Sequence, residues 1–285
     1  MENDFVAFIL THGRPDKVIT YDTLKKCGYT GAVIILIDDE DKSIEQYKER
    51  FGDKVYVFSK EEIGKTFDQG DNRDNRKVIV YARNACFDIA KQLGYKYFIQ
   101  LDDDYRVFSH TSNERGEYLT SRPRVKNLDG VFSAMLKFFK NTRIKTIAAA
   151  QGGDFIGGPS SSVFKKKLAR KAMNSFICST DRPFKFLGRI NEDVTTYTRE
   201  ASTGNIFFTT SQIRLEQAPT QSSGGGMTET YLDGGTYLKS FYSVMFHPSG
   251  VKIGVMGHVE KRIHHKVKWK NTTPMILSER HKKKG

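Results

Sequence analysis

Short apolar runs alternate with amphipathic stretches from the first residues onward, and this alternation sets the element order. Phe5-Val6-Ala7-Phe8-Ile9-Leu10, Val33-Ile34-Ile35-Leu36-Ile37 and Val55-Tyr56-Val57-Phe58 are continuous apolar runs of strand length, as expected for strands covered on both faces. Between the first two, Asp16 to Cys27 carries Val18, Ile19, Leu24 and Cys27 at roughly helical spacing, and Gly28 is placed to close that helix. Ser43 to Phe51 predicts a short helix. Val78 to Leu93 predicts a longer one, with Ala82, Ala85, Cys86, Ile89, Ala90 and Leu93 on one face and Gly94 as its stop. Tyr95 to Leu101 follows as another strand. Strands alternating with helices predict an α/β fold, a Rossmann-like and mostly parallel sheet flanked by helices. Ligands of such sheets gather at the carboxyl ends of the strands, so Thr11, Asp38 and Asp102 should converge on one crevice.

The second half is less regular. Leu128 to Asn141 predicts a helix with Val131, Met135, Leu136 and Phe139 on its apolar face. Thr146 to Gln151 reads as a strand opening into the glycine-rich run Gly152 to Gly158. Asp68 to Arg76 reads as a charged loop, and Ser222 to Gly226 and Gly234-Gly235 as mobile ones. There is no internal repeat. The 285 residues, 38% of them hydrophobic, suffice for a full core. No apolar run is long enough to span a bilayer, and the acidic start Met1-Glu2-Asn3-Asp4 does not resemble a signal peptide. Cys27, Cys86 and Cys178 are odd in number and lack metal-ligand spacing, which fits a reducing cytoplasm.

Charge changes the picture. The net charge is +13 and uneven, concentrated in Lys165-Lys166-Lys167-Leu168-Ala169-Arg170-Lys171 and in a C-terminal series. That series comprises Lys261, Arg262, Lys266, Lys268, Lys270, Arg280, Lys282, Lys283 and Lys284. Such a balance favours a polyanionic partner, nucleic acid first. A lysine-rich solvated surface would give the same count.

The acidic run Asp102-Asp103-Asp104 stands where the Tyr95–Leu101 strand leaves the core. Carboxylates there repel one another and lose hydration, and a Mg²⁺ or Mn²⁺ ion would relieve both penalties. A solvated turn is the plainer alternative. Thr11 and Arg14 follow the first strand, and Arg83 lies early in the long helix, either as a diphosphate clamp or as an exposed helical residue. Asp38, with Asp39 and Asp41 as alternatives, can accept a hydrogen bond from a base or ribose. There is no G-x-G-x-x-G element and no P-loop, which argues against a dinucleotide enzyme or NTPase. Gly188-Arg189-Ile190-Asn191-Glu192-Asp193 is a second acidic group. It offers a general base, Asp193 first and Glu192 second, or a helix cap from Asn191 or Asp193. Arg262-Ile263-His264-His265-Lys266-Val267-Lys268-Trp269 predicts a basic strand. Adjacent histidines on a strand point to opposite faces, so only one should reach a metal.

The spacing of Asp102 and Asp104 resembles the DxD motif of nucleotide-sugar glycosyltransferases. Taken with Phe8-Ile9-Leu10-Thr11-His12-Gly13-Arg14-Pro15-Asp16, Gln100-Leu101-Asp102-Asp103-Asp104-Tyr105, the Gly188–Asp193 group and Arg262-Ile263-His264-His265, the chain resembles the TET-associated glycosyltransferases of bacteriophages. Pro219-Thr220-Gln221 and Gly226-Met227-Thr228-Glu229-Thr230-Tyr231 fit the same pattern. The resemblance implies a GT-A-like domain over residues 1–275, with a nucleotide-sugar-binding half (1–110), an acceptor-binding half (111–275) and a basic tail at 276–285. It implies transfer of a sugar, most simply glucose from UDP-glucose, to the hydroxymethyl group of 5-hydroxymethylcytosine in double-stranded phage DNA, within the infected host's cytoplasm. Thr11, Arg14, Asp38, Arg83, Asp102 and Asp103 would then bind the nucleotide sugar. Asp102 and Asp104, with His264 or His265, would hold Mn²⁺ or Mg²⁺. Asp193 or Glu192 would take the acceptor proton, and Lys165, Lys166, Lys167, Lys171, Lys266 and Lys268 would meet DNA. Transfer to 5-hydroxymethyluracil or to a non-DNA acceptor, a metal-dependent nuclease or nucleotidyltransferase, and a silent DNA-binding module are the rival readings.

Overall fold

The computed structural model describes residues 1–72, 76–169, 171–217, 238–256 and 261–272. The expected loops at Ser222–Gly226 and Gly234-Gly235, the Pro219–Gln221 and Gly226–Tyr231 blocks, Arg170 and the tail at 276–285 lie outside them, as does the middle of the Asp68–Arg76 loop.

Strands β1 (Phe5–Leu10), β2 (Ala32–Asp38), β3 (Val55–Phe58) and β4 (Tyr97–Asp102) pair in parallel in the spatial order β3-β2-β1-β4. Helices α1 (Ile19–Lys26), α2 (Ile44–Phe51), α3 (Lys60–Gly64) and α4 (Val80–Gln92) connect them. Alternate residues of β1 enter opposite layers. Phe5, Ala7 and Ile9 pack with Leu24, Tyr47 and Phe132, whereas Val6, Phe8 and Leu10 pack with Ala85, Ile89 and Phe186. The continuous apolar runs therefore mark strands buried on both faces.

Several expected boundaries shift. Pro15–Lys17 forms a 3₁₀ turn, so α1 starts at Ile19 rather than Asp16. Leu93 lies past the end of α4 and is 42% exposed instead of joining its apolar face. Gly28 does close α1. It sits at φ +79°, and a Cβ there would stand 2.3 Å from the Lys126 carbonyl oxygen, so only glycine fits.

The remaining strands extend the same sheet with mixed polarity. They are β5 (Tyr105–His110), β6 (Thr146–Gln151), β7 (Leu168–Ala169), β8 (Phe176–Ser179) and β9 (Phe207–Gln217). The order beyond β4 is β8-β6-β9-β5, with β7 beside β9. β8 runs antiparallel to both β4 and β6, and β6 is parallel to β9. Helix α5 (Leu128–Lys140) covers one face, its start capped by Asn127 through the Gly130 N–H at 2.9 Å. Helices α6 (Ser162–Lys166) and α7 (Glu192–Ser202) belong to the second half, with a further helical segment over 238–246. A separate antiparallel pair, β10 (Val251–Met256) and β11 (Arg262–Val267), stands apart from the large sheet. Among the described residues no helix is long and apolar enough to cross a membrane.

Candidate functional site

Parallel strands β2, β1 and β4 end side by side, and their carboxyl ends carry Asp38, Thr11 and Asp102. The three aspartates that follow β4 do different work. Asp103 is 2% exposed and points to the loop after β1, where Thr11 Oγ1 donates to it at 2.6 Å and Arg14 Nη2 at 3.0 Å. Tyr47 ties the same loop, accepting from the Arg14 backbone N–H at 2.9 Å. Asp103 therefore organises the loop that contains Thr11 and Arg14. The turn itself is fixed from α1, where Thr20 donates to the Asp102 carbonyl at 2.6 Å and accepts from the Tyr105 N–H at 2.9 Å. Thr20 and Tyr47 gave no signal in the sequence beyond belonging to helices.

Asp102 faces the other way. Arg83 of α4 donates from Nη2 to Asp102 Oδ1 at 3.0 Å and from Nε to Glu192 Oε1 at 2.9 Å. The guanidinium is 1% exposed, lies 5.0 Å from the Phe176 ring centroid, and has no partner on Nη1 among the described residues. Arg83 is thus not an exposed helical residue: it ties the end of β4 to the start of α7. Burial raises Asp102 to about 7, and Asp104, Glu192 and Asp103 add to the rise against the opposing pull of Arg83. Burial, with Asp193 beside it, likewise raises Glu192 against Arg83. Asp104 is half-buried and accepts from Gln217 Nε2 at 3.3 Å, and Gln217 in turn accepts from Gln151 at 2.9 Å.

The second acidic group opens α7. Asn191 occupies the cap position with left-handed φ of 59°, but its side chain does not cap the helix. It donates instead to Ser243 Oγ at 2.6 Å and lies 3.2 Å from His265 Nδ1. Glu192 is 7% exposed and held by Arg83. Asp193 is half-exposed and makes no hydrogen bond or ion pair among the described residues. Its charge is felt at His265, which burial and the neighbouring His264 nevertheless pull down to about 4, leaving a neutral imidazole. Strand alternation should separate the two histidines, yet their rings lie 4.2 Å apart at 41°. The contact with Asn191 noted above is made by His265.

Asp38 sits at the carboxyl end of β2. His12 Nδ1 approaches it at 2.6 Å and buried Lys60 at 2.9 Å. Burial pushes Asp38 up, but the hydrogen bond from His12 and the charge of Lys60 outweigh it and hold the carboxyl below its ordinary range. Asp41 accepts from the Gly13 N–H at 2.7 Å, and Asp39 accepts from the Lys60 N–H at 3.0 Å, so both alternatives to Asp38 are committed to backbone.

The basic residues divide. Lys165 and Lys166 are exposed on α6. Lys167 donates to the Gly116 carbonyl at 2.9 Å with its ammonium 3.6 Å from the Phe164 ring centroid, and Lys171 pairs with Asp154. Lys266 and Lys268 are exposed on and just beyond β11.

The sequence pattern of the TET-associated glycosyltransferases matches residues 5–226. The chain belongs to this family. A glycosyltransferase of the TET-associated family thus places its two acidic motifs on either side of one buried arginine. No curated protein sequence matches the chain. Among solved structures, a mycobacterial protein is similar with a TM-score of 0.51 at 9% identity, over 92% of this chain and 83% of that one. Glucosyl-3-phosphoglycerate synthase from Mycobacterium tuberculosis, solved with Mg²⁺ and UDP, gives 0.46 at 10% identity over 92% and 87%. S. aureus TarS, residues 1–349, gives 0.43 at 13% identity over 84% of this chain and 65% of that one. The first of these likenesses bears on the fold alone and agrees with the expected α/β sheet.

Proposed function

We propose that this glycosyltransferase has a GT-A-like site in which Mn²⁺ or Mg²⁺ and a nucleotide sugar meet at Asp102 and Asp104. The acceptor would be the hydroxymethyl group of 5-hydroxymethylcytosine in duplex DNA, with UDP-glucose the simplest donor. The carrying observation is the charge balance at the end of β4. Asp102 and Glu192 share a single buried guanidinium, and Asp102 is driven to about 7 by burial and by the charges of Asp104, Glu192 and Asp103. Surplus negative charge on hard oxygens suits a divalent cation. Among the described residues no three His, Cys, Asp or Glu side chains form a closed metal cage. The binding proposed is therefore of the Mg²⁺ type, through one or two carboxylates plus substrate phosphates. His265 lies against Asn191, one residue before Glu192, and among the described residues it forms no three-ligand group with Asp102 and Asp104, so the metal reading rests on the two carboxylates.

The cation, when bound, supplies charge stabilisation for the departing diphosphate. The chain's own residues do the rest. Thr11 and Arg14, fixed by Asp103, and Asp38, fixed by His12 and Lys60, line the donor side. Asp193 accepts the proton of the acceptor hydroxyl as its oxygen bonds to the anomeric carbon and the bond to the diphosphate breaks. Glu192 is the weaker candidate, because its carboxylate is buried and already engaged by Arg83. The choice of DNA and of 5-hydroxymethylcytosine rests on the family resemblance and on the net charge of +13. The test follows UDP release from UDP-glucose with Mn²⁺ and a hydroxymethylcytosine duplex. Release should depend on the metal and be abolished in a folded Asp104→Ala variant. Full activity in excess chelator would overturn the metal assignment.

A further inference from the structure

Strands β10 and β11 pair so that Lys252 stands directly opposite Lys266 and Gly254 opposite His264. Residues 252, 254 and 266 share a face of this two-stranded ribbon, and both lysines are exposed. Like charges placed directly across a strand pair are destabilising. Neither lysine meets a carboxylate among the described residues. Gly254 adds to the same face. A Cβ there would lie 2.5 Å from Lys266 Cε, so its absence makes room for the lysine chain along the ribbon. Lys268 continues the row, exposed and pinned by its backbone N–H to the Gly250 carbonyl at 2.7 Å.

The ribbon is also anchored to the catalytic edge. His265 lies against Asn191, one residue before Glu192, and Val251 is fully buried. Beyond β11, Trp269 stacks on Tyr197 of α7 with centroids 5.8 Å apart at 10°. A lysine row on one side and contacts to α7 and its cap on the other make this an element joining a polyanion surface to the site. The α6 segment is less suited, since Lys167 and Lys171 are engaged within the protein.

We infer that the Lys252–Lys266–Lys268 face of the β10–β11 ribbon holds the phosphate backbone of the acceptor duplex and positions its base at the Asp193 edge. This inference rests on the reading that DNA is the acceptor. The test measures binding of a fluorescent unmodified 20-base-pair duplex across a salt series for wild type, Lys252→Gln/Lys266→Gln and Lys165→Gln/Lys166→Gln. Each phosphate contact contributes about 0.9 to the slope of log K against log salt. The ribbon variant should therefore flatten the slope by about 2, and the α6 variant should leave it near wild type. A second variant separates binding from folding. Lys252→Glu replaces a like-charge pair with an opposite one, so its urea midpoint should equal or exceed wild type while DNA affinity falls at least tenfold. A wild-type slope in the ribbon variant, or undiminished affinity in Lys252→Glu, would overturn the inference and leave the DNA reading standing. Absence of any duplex binding by wild type at low salt would overturn both.

Discussion

Replacing Arg83 with methionine tests whether the guanidinium ties the two acidic motifs together. Methionine keeps an unbranched chain between Phe176 and Phe186 but strands Asp102 and Glu192 as buried carboxylates without their cation. Removing one member of a buried ion pair costs about 3–5 kcal/mol, most of it the uncompensated charge left behind. A domain holds only about 5–15 kcal/mol in all, so the variant should fold but be markedly weakened. With an m-value of about 3 kcal/mol/M, the urea midpoint should fall by about 1 to 1.7 M. Glu192→Gln made on top of Arg83→Met removes one of the stranded charges. The double variant should therefore be more stable than the sum of the single effects, by a coupling of about 0.5–3 kcal/mol. Urea unfolding followed by circular dichroism on all four proteins gives the cycle. A single-variant loss below about 1 kcal/mol, or additivity within about 0.5 kcal/mol, would refute the argument.

Asp193→Asn keeps shape but loses basicity, and transfer should fall by about a hundredfold or more with the affinity for UDP and Mn²⁺, read by calorimetry, near wild type. Glu192→Gln still accepts the Arg83 hydrogen bond and should lose much less. Reversed magnitudes would make Glu192 the base. Asp38 gives a pH prediction. Its folded pKa is depressed, so its stabilisation is present above the unfolded Asp value of about 3.9 and is lost as pH falls through the lower folded value. Asp38→Asn should be the less stable protein at pH 7, with the gap in urea midpoint closing as pH is lowered toward 3. A gap independent of pH would show that Asp38 acts through packing rather than charge.

Much of the first half was legible because its signals are local. β1, β2 and β4 are apolar runs whose two-sided burial follows from composition, and Gly28 and Gly94 mark helix ends at positive φ. The acidic run after β4 was legible as a candidate site because buried charge is costly wherever it occurs. The parts that escaped depend on distant pairing. β8 is four residues long and inserts antiparallel between β4 and β6, joining Phe98 to Cys178 across eighty residues of chain. β9 shifts register between its pairs with Ala149 and Ala150, which blurs any period-2 pattern. The burial of Arg83 between two carboxylates was not legible, because they lie 19 and 109 residues away. The DxD spacing set Asp103 apart from Asp102 and Asp104, but its hold on Thr11 and Arg14 across 92 and 89 residues was not legible.

The central claim is transfer of a sugar to hydroxymethylated DNA, and the mass of the product nucleoside tests it most directly. Wild-type protein, Mn²⁺ and UDP-glucose are incubated with duplexes carrying cytosine, 5-hydroxymethylcytosine or 5-hydroxymethyluracil, alongside a panel of other nucleotide sugars. The DNA is then digested and its nucleosides weighed by mass spectrometry. A hexose increment confined to 5-hydroxymethylcytosine, and missing with Asp104→Ala, is the predicted result. Unmodified nucleosides from every duplex and donor, with the protein folded and the metal present, would contradict the account.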